Sequence, residues 1–146
     1  GGDVVQPGAY RKSLERLKAR GGSVKMLWQH DPAQPIGVWD QIFEDERGLY
    51  VKGRLLLDVG RAREAAALIG AGAIDGLSIG YRTVAAEKDA KGQRLLAELE
   101  LWEVSLVTFP MLKEARVAGK GESLETETWR DLAEALTRAA ADMAAR

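Results

Sequence analysis

The sequence predicts an α+β fold: a small, mostly antiparallel β-barrel flanked by short helices, with an amphipathic helix at its C-terminal end. Three observations predict it. β-prone segments recur through the middle of the chain between polar or glycine-bearing turns, two short helical runs stop at glycines, and the character of the chain changes after Lys120.

Tyr10 to Arg20 places Tyr10, Leu14 and Leu17 at helical spacing, and Gly21-Gly22 ends the run. Val24 to His30 is apolar and β-prone, and Asp31-Pro32 predicts its end. Gly37 to Phe43 and Leu49 to Leu57 read as two strands, with Glu44 to Gly48 as the turn between them. Arg61 to Ile69 is alanine-rich and helical, closed by Gly70 and Gly72. Strand character resumes from Ile74 to about Ala86. The polar turn Lys88 to Gly92 then leads into the long β-prone stretch Arg94 to Phe109, stopped by Pro110. Beyond the linker-like Gly119-Lys120-Gly121, the residues Leu124, Trp129, Leu132, Leu136 and Met143 sit mainly at three- to four-residue spacing. Glu122, Glu125 and Glu127 lie near the start of this run, where the helix dipole favours anions. The expected division is therefore a barrel domain over 1–118 and a linker with an amphipathic helix over 119–146. That helix serves either to pack on its own barrel or to pair with another copy or a partner.

Composition narrows the function. The chain has 146 residues, 46% hydrophobic and 29% charged, enough for one domain with a real core. A net charge of −1 and a pI near 6.0 give no bias toward nucleic acid or an anionic membrane. No apolar run approaches the roughly 20 residues of a membrane span. The absence of cysteine excludes disulfides, thiolate zinc sites and a cysteine nucleophile. One histidine and scattered carboxylates offer no metal-ligand cluster, and no phosphate-binding glycine loop occurs, so no cofactor is expected. The chain opens at Gly1-Gly2-Asp3 without an initiator methionine, which reads as a trimmed or processed N-terminus.

Three residues are candidates for chemistry. His30, the sole histidine, closes an apolar strand just before a proline-directed turn, where a side chain can be held at a cavity rim. A lone histidine is otherwise more often structural or merely exposed. Ser78 lies in Gly76-Leu77-Ser78-Ile79-Gly80, formally a G-x-S-x-G pattern. The α/β-hydrolase elbow is rejected, because His30 precedes Ser78 and the segment after Ser78 is β-prone rather than helical. Small residues in a strand also serve close packing. On the functional reading, Gly76 and Gly80 give access to a strand-borne hydroxyl and let a substrate backbone approach. Glu103 is the third candidate. If no bulge intervenes, alternation puts Ala97, Leu99, Leu101 and Glu103 on one face, so that a carboxylate interrupts an apolar surface and needs a partner. A protonated imidazole and an arginine such as Arg54 or Arg82 are both open. Together His30, Ser78 and Glu103 supply a base, a nucleophile and an orienting acid.

Several blocks in one order carry a resemblance. Gly2 to Tyr10, Leu27 to Pro32 followed by Pro35-Ile36-Gly37, Gly48 to Gly53, Gly72 to Tyr81, and Glu103 to Pro110 resemble the tailed-phage prohead proteases, over about Gly2 to Val117. The resemblance implies a serine endopeptidase with a β-barrel fold akin to herpesvirus assemblin. Such enzymes work inside the procapsid in the host cytoplasm, cleaving the scaffold or the scaffold arm of the major capsid protein, and usually themselves. His30 then matches the family histidine and Ser78 the family serine. The herpesvirus enzymes place a second histidine about 25 residues after the serine, where this chain holds Glu103, and a carboxylate can do the same orienting work. Backbone amides near Ser105 and Leu106 are the expected oxyanion donors. Family members also begin with a further strand upstream of Asp3. The expected partners are capsid or scaffold protein as substrate and, through 119–146, a second copy; no nucleic acid or membrane partner is expected. The alternatives are a non-catalytic capsid-assembly or scaffold-binding module and, disfavoured by motif order, a small esterase.

Overall fold

In a computed structural model that describes residues 3–46, 48–110 and 116–117, the elements follow as β1 (Asp3–Val5), α1 (Arg11–Ala19), β2 (Lys25–Trp28), β3 (Asp31–Asp45), β4 (Gly48–Leu55), α2 (Gly60–Gly70), β5 (Gly76–Lys88) and β6 (Arg94–Val107). The expected C-terminal helix and the division at residue 118 lie outside the described residues.

One mixed sheet joins all six strands. β5 runs antiparallel along one edge of β6, from Gly76↔Val107 to Lys88↔Arg94. The other edge of β6 takes two short strands in parallel, β1 opposite Arg94 to Leu96 and β2 opposite Glu103 to Leu106. β3 pairs with β2, and β4 with β3, both antiparallel. The sequence reading missed β1 and the parallel pairings, because a three-residue strand carries no periodicity. The expected barrel is corrected too. Among the described residues nothing joins β4 to β5, and the sheet stays open.

The two helices stand where the sequence places them, for the reason it gives. Gly21 and Gly72 adopt φ of +69° and +75° one residue past each helix cap. Each chain end then folds back: Gly22 N–H bonds the Leu17 carbonyl and Ala73 N–H the Leu68 carbonyl, both at 2.8 Å. These are Schellman stops, which a side chain at the left-handed position would strain. β3, by contrast, begins six residues before expected and runs through Pro32 and Pro35. The ladder to β2 is irregular there, which tolerates prolines that cannot donate.

Between its two parallel partners, β6 would expose unpaired amides. α1 covers them. Leu99 N–H bonds the Ala9 carbonyl at 3.1 Å, and Leu101 N–H bonds the Ser13 hydroxyl at 2.9 Å. That need explains why Ser13, a polar residue on a helix, is buried. From the far end of β3, Glu44 accepts the Gly8 and Tyr10 amides at 2.7 and 3.1 Å, capping the start of α1 with charge. The apolar core gathers beneath these contacts, from Val5, Tyr10, Leu96, Leu99 and Leu101 to Met26, Ile36, Val51 and the alanine face of α2 at Ala62, Ala65 and Ala66. Among the described residues no helix is long and apolar enough to cross a membrane.

Two measurements test this packing. Ser13→Ala leaves the buried Leu101 amide without an acceptor and should cost about 1–3 kcal/mol in urea denaturation. The Tyr10 hydroxyl is buried and, among the described residues, has no hydrogen-bond partner. Burial, then the nearby Glu44 carboxylate, raise its pKa above the ordinary 10.0. The fold therefore holds that proton more tightly than the unfolded chain. Its contribution to stability is complete below pH 10.0 and is lost as the pH climbs toward the folded-state value. Tyr10→Phe should leave neutral-pH stability unchanged or improved and move alkaline unfolding to higher pH.

Candidate active site

A bulge in β6 sets up the site. Ile79 pairs with Val104 and Gly80 with Glu103, but Tyr81 pairs with Leu101, so Trp102 is an extra residue on β6. Leu101, Val104 and Leu106 consequently share the core face, and Trp102 turns outward, 53% exposed. Glu103 does not continue the apolar row of Leu99 and Leu101, as unbroken alternation predicts. It falls on the opposite face with Ser105, across from Gly80 and Ser78 respectively.

The carboxylate is nonetheless buried, at 7% exposure, and its partners are now fixed. One oxygen, Oε2, accepts a hydrogen bond from the Ser105 hydroxyl at 2.9 Å. The other, Oε1, meets His30 Nδ1 in a short contact. Neither arginine competes: Arg54 pairs with Asp40 and Arg82 with Glu100. The Arg82 hydrogen bonds hold Glu100 below the usual carboxylate range, on the exposed side of the strand. Gly80 supplies the room. A Cβ at that position would lie 2.6–2.7 Å from Glu103 Cγ, Cδ and Oε1, so the carboxyl sits in space that only glycine leaves open.

His30 is reached differently from expectation. It does not end β2. Trp28 pairs with Asp31, which makes Gln29-His30 the whole of a two-residue hairpin turn. Both have positive φ, 52° and 61°, as a type I′ turn requires. Neither is the glycine or asparagine that such a turn favours, so the conformation is strained by a cost on the order of 1–3 kcal/mol per residue. The imidazole side chain is 42% exposed. With Nδ1 on the carboxylate, Nε2 is the nitrogen left to exchange a proton with a neighbour.

Ser78 lies on β5 directly opposite Ser105 and two residues from Gly80, on the face that carries Glu103. Directly opposed residues have Cβ atoms about 4.5–5.5 Å apart, and diagonal neighbours such as Ser78 and Glu103 about 7–8 Å. The structure joins His30, Glu103 and Ser105 in one hydrogen-bonded chain beside Ser78; among the described residues no hydrogen bond ties the Ser78 hydroxyl to it.

The remaining sequence candidates are placed as follows. At Gly76 a Cβ would meet Pro110 Cδ at 2.6 Å and the Val107 carbonyl at 2.7 Å, so its bareness lets the exit of β6 pack. Gly80 seats Glu103. Ser105 and Leu106 occupy interior positions of β6 between β5 and β2, where amides face neighbouring strands. The Ser105 contribution is its fully buried hydroxyl. Sequence reasoning missed that hydroxyl as a partner of Glu103, although i, i+2 spacing on a strand put the two on one face.

An acid–imidazole pair beside a strand-borne serine is the constellation of serine-nucleophile hydrolases. Comparison with known proteins narrows this class. Residues 1–129 match the family of caudovirus prohead serine proteases, and the chain belongs to that family. It is also 31% identical over 134 residues to the prohead protease of Enterobacteria phage HK97, an alignment covering 90% of this chain and 58% of that protein. The chain thus spans little more than half the length of that relative. No solved structure matches it significantly.

Gly80→Ala tests the seat of the carboxylate. Because the atoms in the way belong to a side chain, the variant should fold and displace Glu103 from His30. A crystal structure showing the His30–Glu103 contact intact in Gly80→Ala would count against the arrangement.

Proposed function

We propose that this chain is a serine endopeptidase that processes phage capsid precursors, with Ser78 as nucleophile, His30 as general base and Glu103 as the orienting acid. The observation that carries the proposal is the Ser105–Glu103–His30 hydrogen-bonded chain, on the sheet face that also bears Ser78. Glu103 fixes the tautomer with the proton on Nδ1 and stabilises the imidazolium once Nε2 has taken the Ser78 proton. The serine oxygen then adds to a peptide carbonyl. The tetrahedral intermediate collapses as the imidazolium returns the proton to the leaving amine, giving an acyl-enzyme. Water, deprotonated by His30, attacks that ester and releases the new carboxylate with Ser78 restored. Ser105 keeps the carboxylate aligned throughout. Family membership supports a substrate among capsid-assembly proteins: scaffold or the scaffold arm of the major capsid protein, and the protease chain itself, within the procapsid in the host cytoplasm.

One observation favours a second reading, a capsid-assembly module that binds without cutting: the Ser78 hydroxyl is not hydrogen-bonded to the ring. A fluorophosphonate separates the two. Catalysis predicts covalent labelling of Ser78 that is lost in Ser78→Ala and His30→Ala, together with processing of co-expressed capsid protein that stops in the same variants. Unimpaired processing by a folded Ser78→Ala protein would refute the assignment. Glu103→Gln keeps the shape but removes the charge that stabilises imidazolium, and should slow labelling at least 100-fold.

A further inference from the structure

We propose that Gln29 and Thr108 are positioning residues for His30, clamping its left-handed turn to the end of β6 so that the ring stays on Glu103. This rests on the catalytic reading of His30 given above. The turn needs such a restraint. Gln29 and His30 hold φ of 52° and 61° without a glycine or asparagine between them, so local preference alone would let the turn relax. The ring is 42% exposed and, among the described residues, bonded only through Nδ1, a single contact about which it can swing.

Gln29 supplies a second anchor. A long polar side chain in an exposed turn ordinarily keeps its rotamer freedom, yet this one is fully engaged. Its backbone N–H bonds the Leu106 carbonyl at 2.8 Å. Its Oε1 accepts the Thr108 N–H at 3.1 Å, and its Nε2 donates to Thr108 Oγ1 at 2.6 Å. Because the Thr108 amide can only donate, the orientation of the glutamine amide follows. Adjacent turn residues are therefore fastened to β6 on either side of Ser105, His30 at Glu103 and Gln29 at Leu106 and Thr108. Two anchor points fix a rotation that one cannot, and the rotation in question aims Nε2.

The sole histidine makes the test direct. In protein labelled with ring-15N histidine, the wild type should show one set of imidazole signals with the proton on Nδ1. Gln29→Gly removes the clamp while suiting a positive φ, so the turn itself is retained. The expected result is a folded variant whose ring signals move toward those of a freely exchanging imidazole. Its maximal rate of Ser78 modification by a fluorophosphonate should fall about tenfold, with the half-saturating concentration little changed. Thr108→Val should shift both readouts in the same direction by less, and Thr108→Ser, which keeps both bonding groups, should restore them. Wild-type ring signals and labelling rate in both Gln29→Gly and Thr108→Val would overturn the clamp. If wild-type protein is not labelled at Ser78, the nucleophile assignment fails instead, and the ring signals alone decide whether Gln29 positions His30.

Discussion

The fold depends on β6 being paired along both edges. This one strand carries β5 on one side and divides the other between β1 and β2, with α1 filling the interval. An interior strand cannot shift register without breaking ladders on two sides, so whatever it displays is held firmly. Its irregularity at Trp102, an extra residue facing the Gly80–Tyr81 step of β5, therefore has a large effect. By inserting one position, the bulge keeps Leu101 and Val104 together in the core and delivers Glu103 to the other face. A buried carboxylate becomes tolerable because that face also offers Ser105, His30 and the bare backbone of Gly80.

The constellation illustrates how a sheet builds precision from unlike parts. Glu103 and Ser105 sit on the most constrained strand, and Ser78 and Gly80 on its antiparallel neighbour. His30 comes from a tight turn that joins β2, itself paired to β6, to β3. All the contributing elements thus refer to the same strand, and relative movement among them is limited by its ladders. Where the ring projects into solvent, the glutamine–threonine contacts extend that frame beyond the last paired residue, Val107.

Much of the fold was legible in the residues. Helix stops at Gly21 and Gly72 follow from backbone chemistry that a reader can apply without coordinates. The strand character of Leu49 to Leu57 and of Ile74 to about Ala86 likewise announces β4 and β5. What could not be read depends on pairing between distant segments. β1 is too short to show a period, and its parallel partner lies about ninety residues along the chain. Closure into a barrel was expected from a run of antiparallel strands and from the family resemblance, neither of which determines whether outer strands meet. In the site, His30, Ser78 and Glu103 stood out by residue type. The face on which Glu103 lies did not, because nothing in Leu101-Trp102-Glu103 marks a bulge. Gly76 and Gly80 look equivalent in sequence, yet one accommodates a proline ring and the other a carboxyl group.

That last distinction has an evolutionary corollary. The Glu103 carboxyl occupies a hollow made by a missing methyl on the adjacent strand, so position 80 records how that group is seated independently of the residues it contacts. A relative bearing alanine or anything larger there has no berth for a glutamate on the next strand. It must partner its imidazole in another way. This one glycine can therefore sort sequences into lineages that share the present layout and lineages that diverged from it.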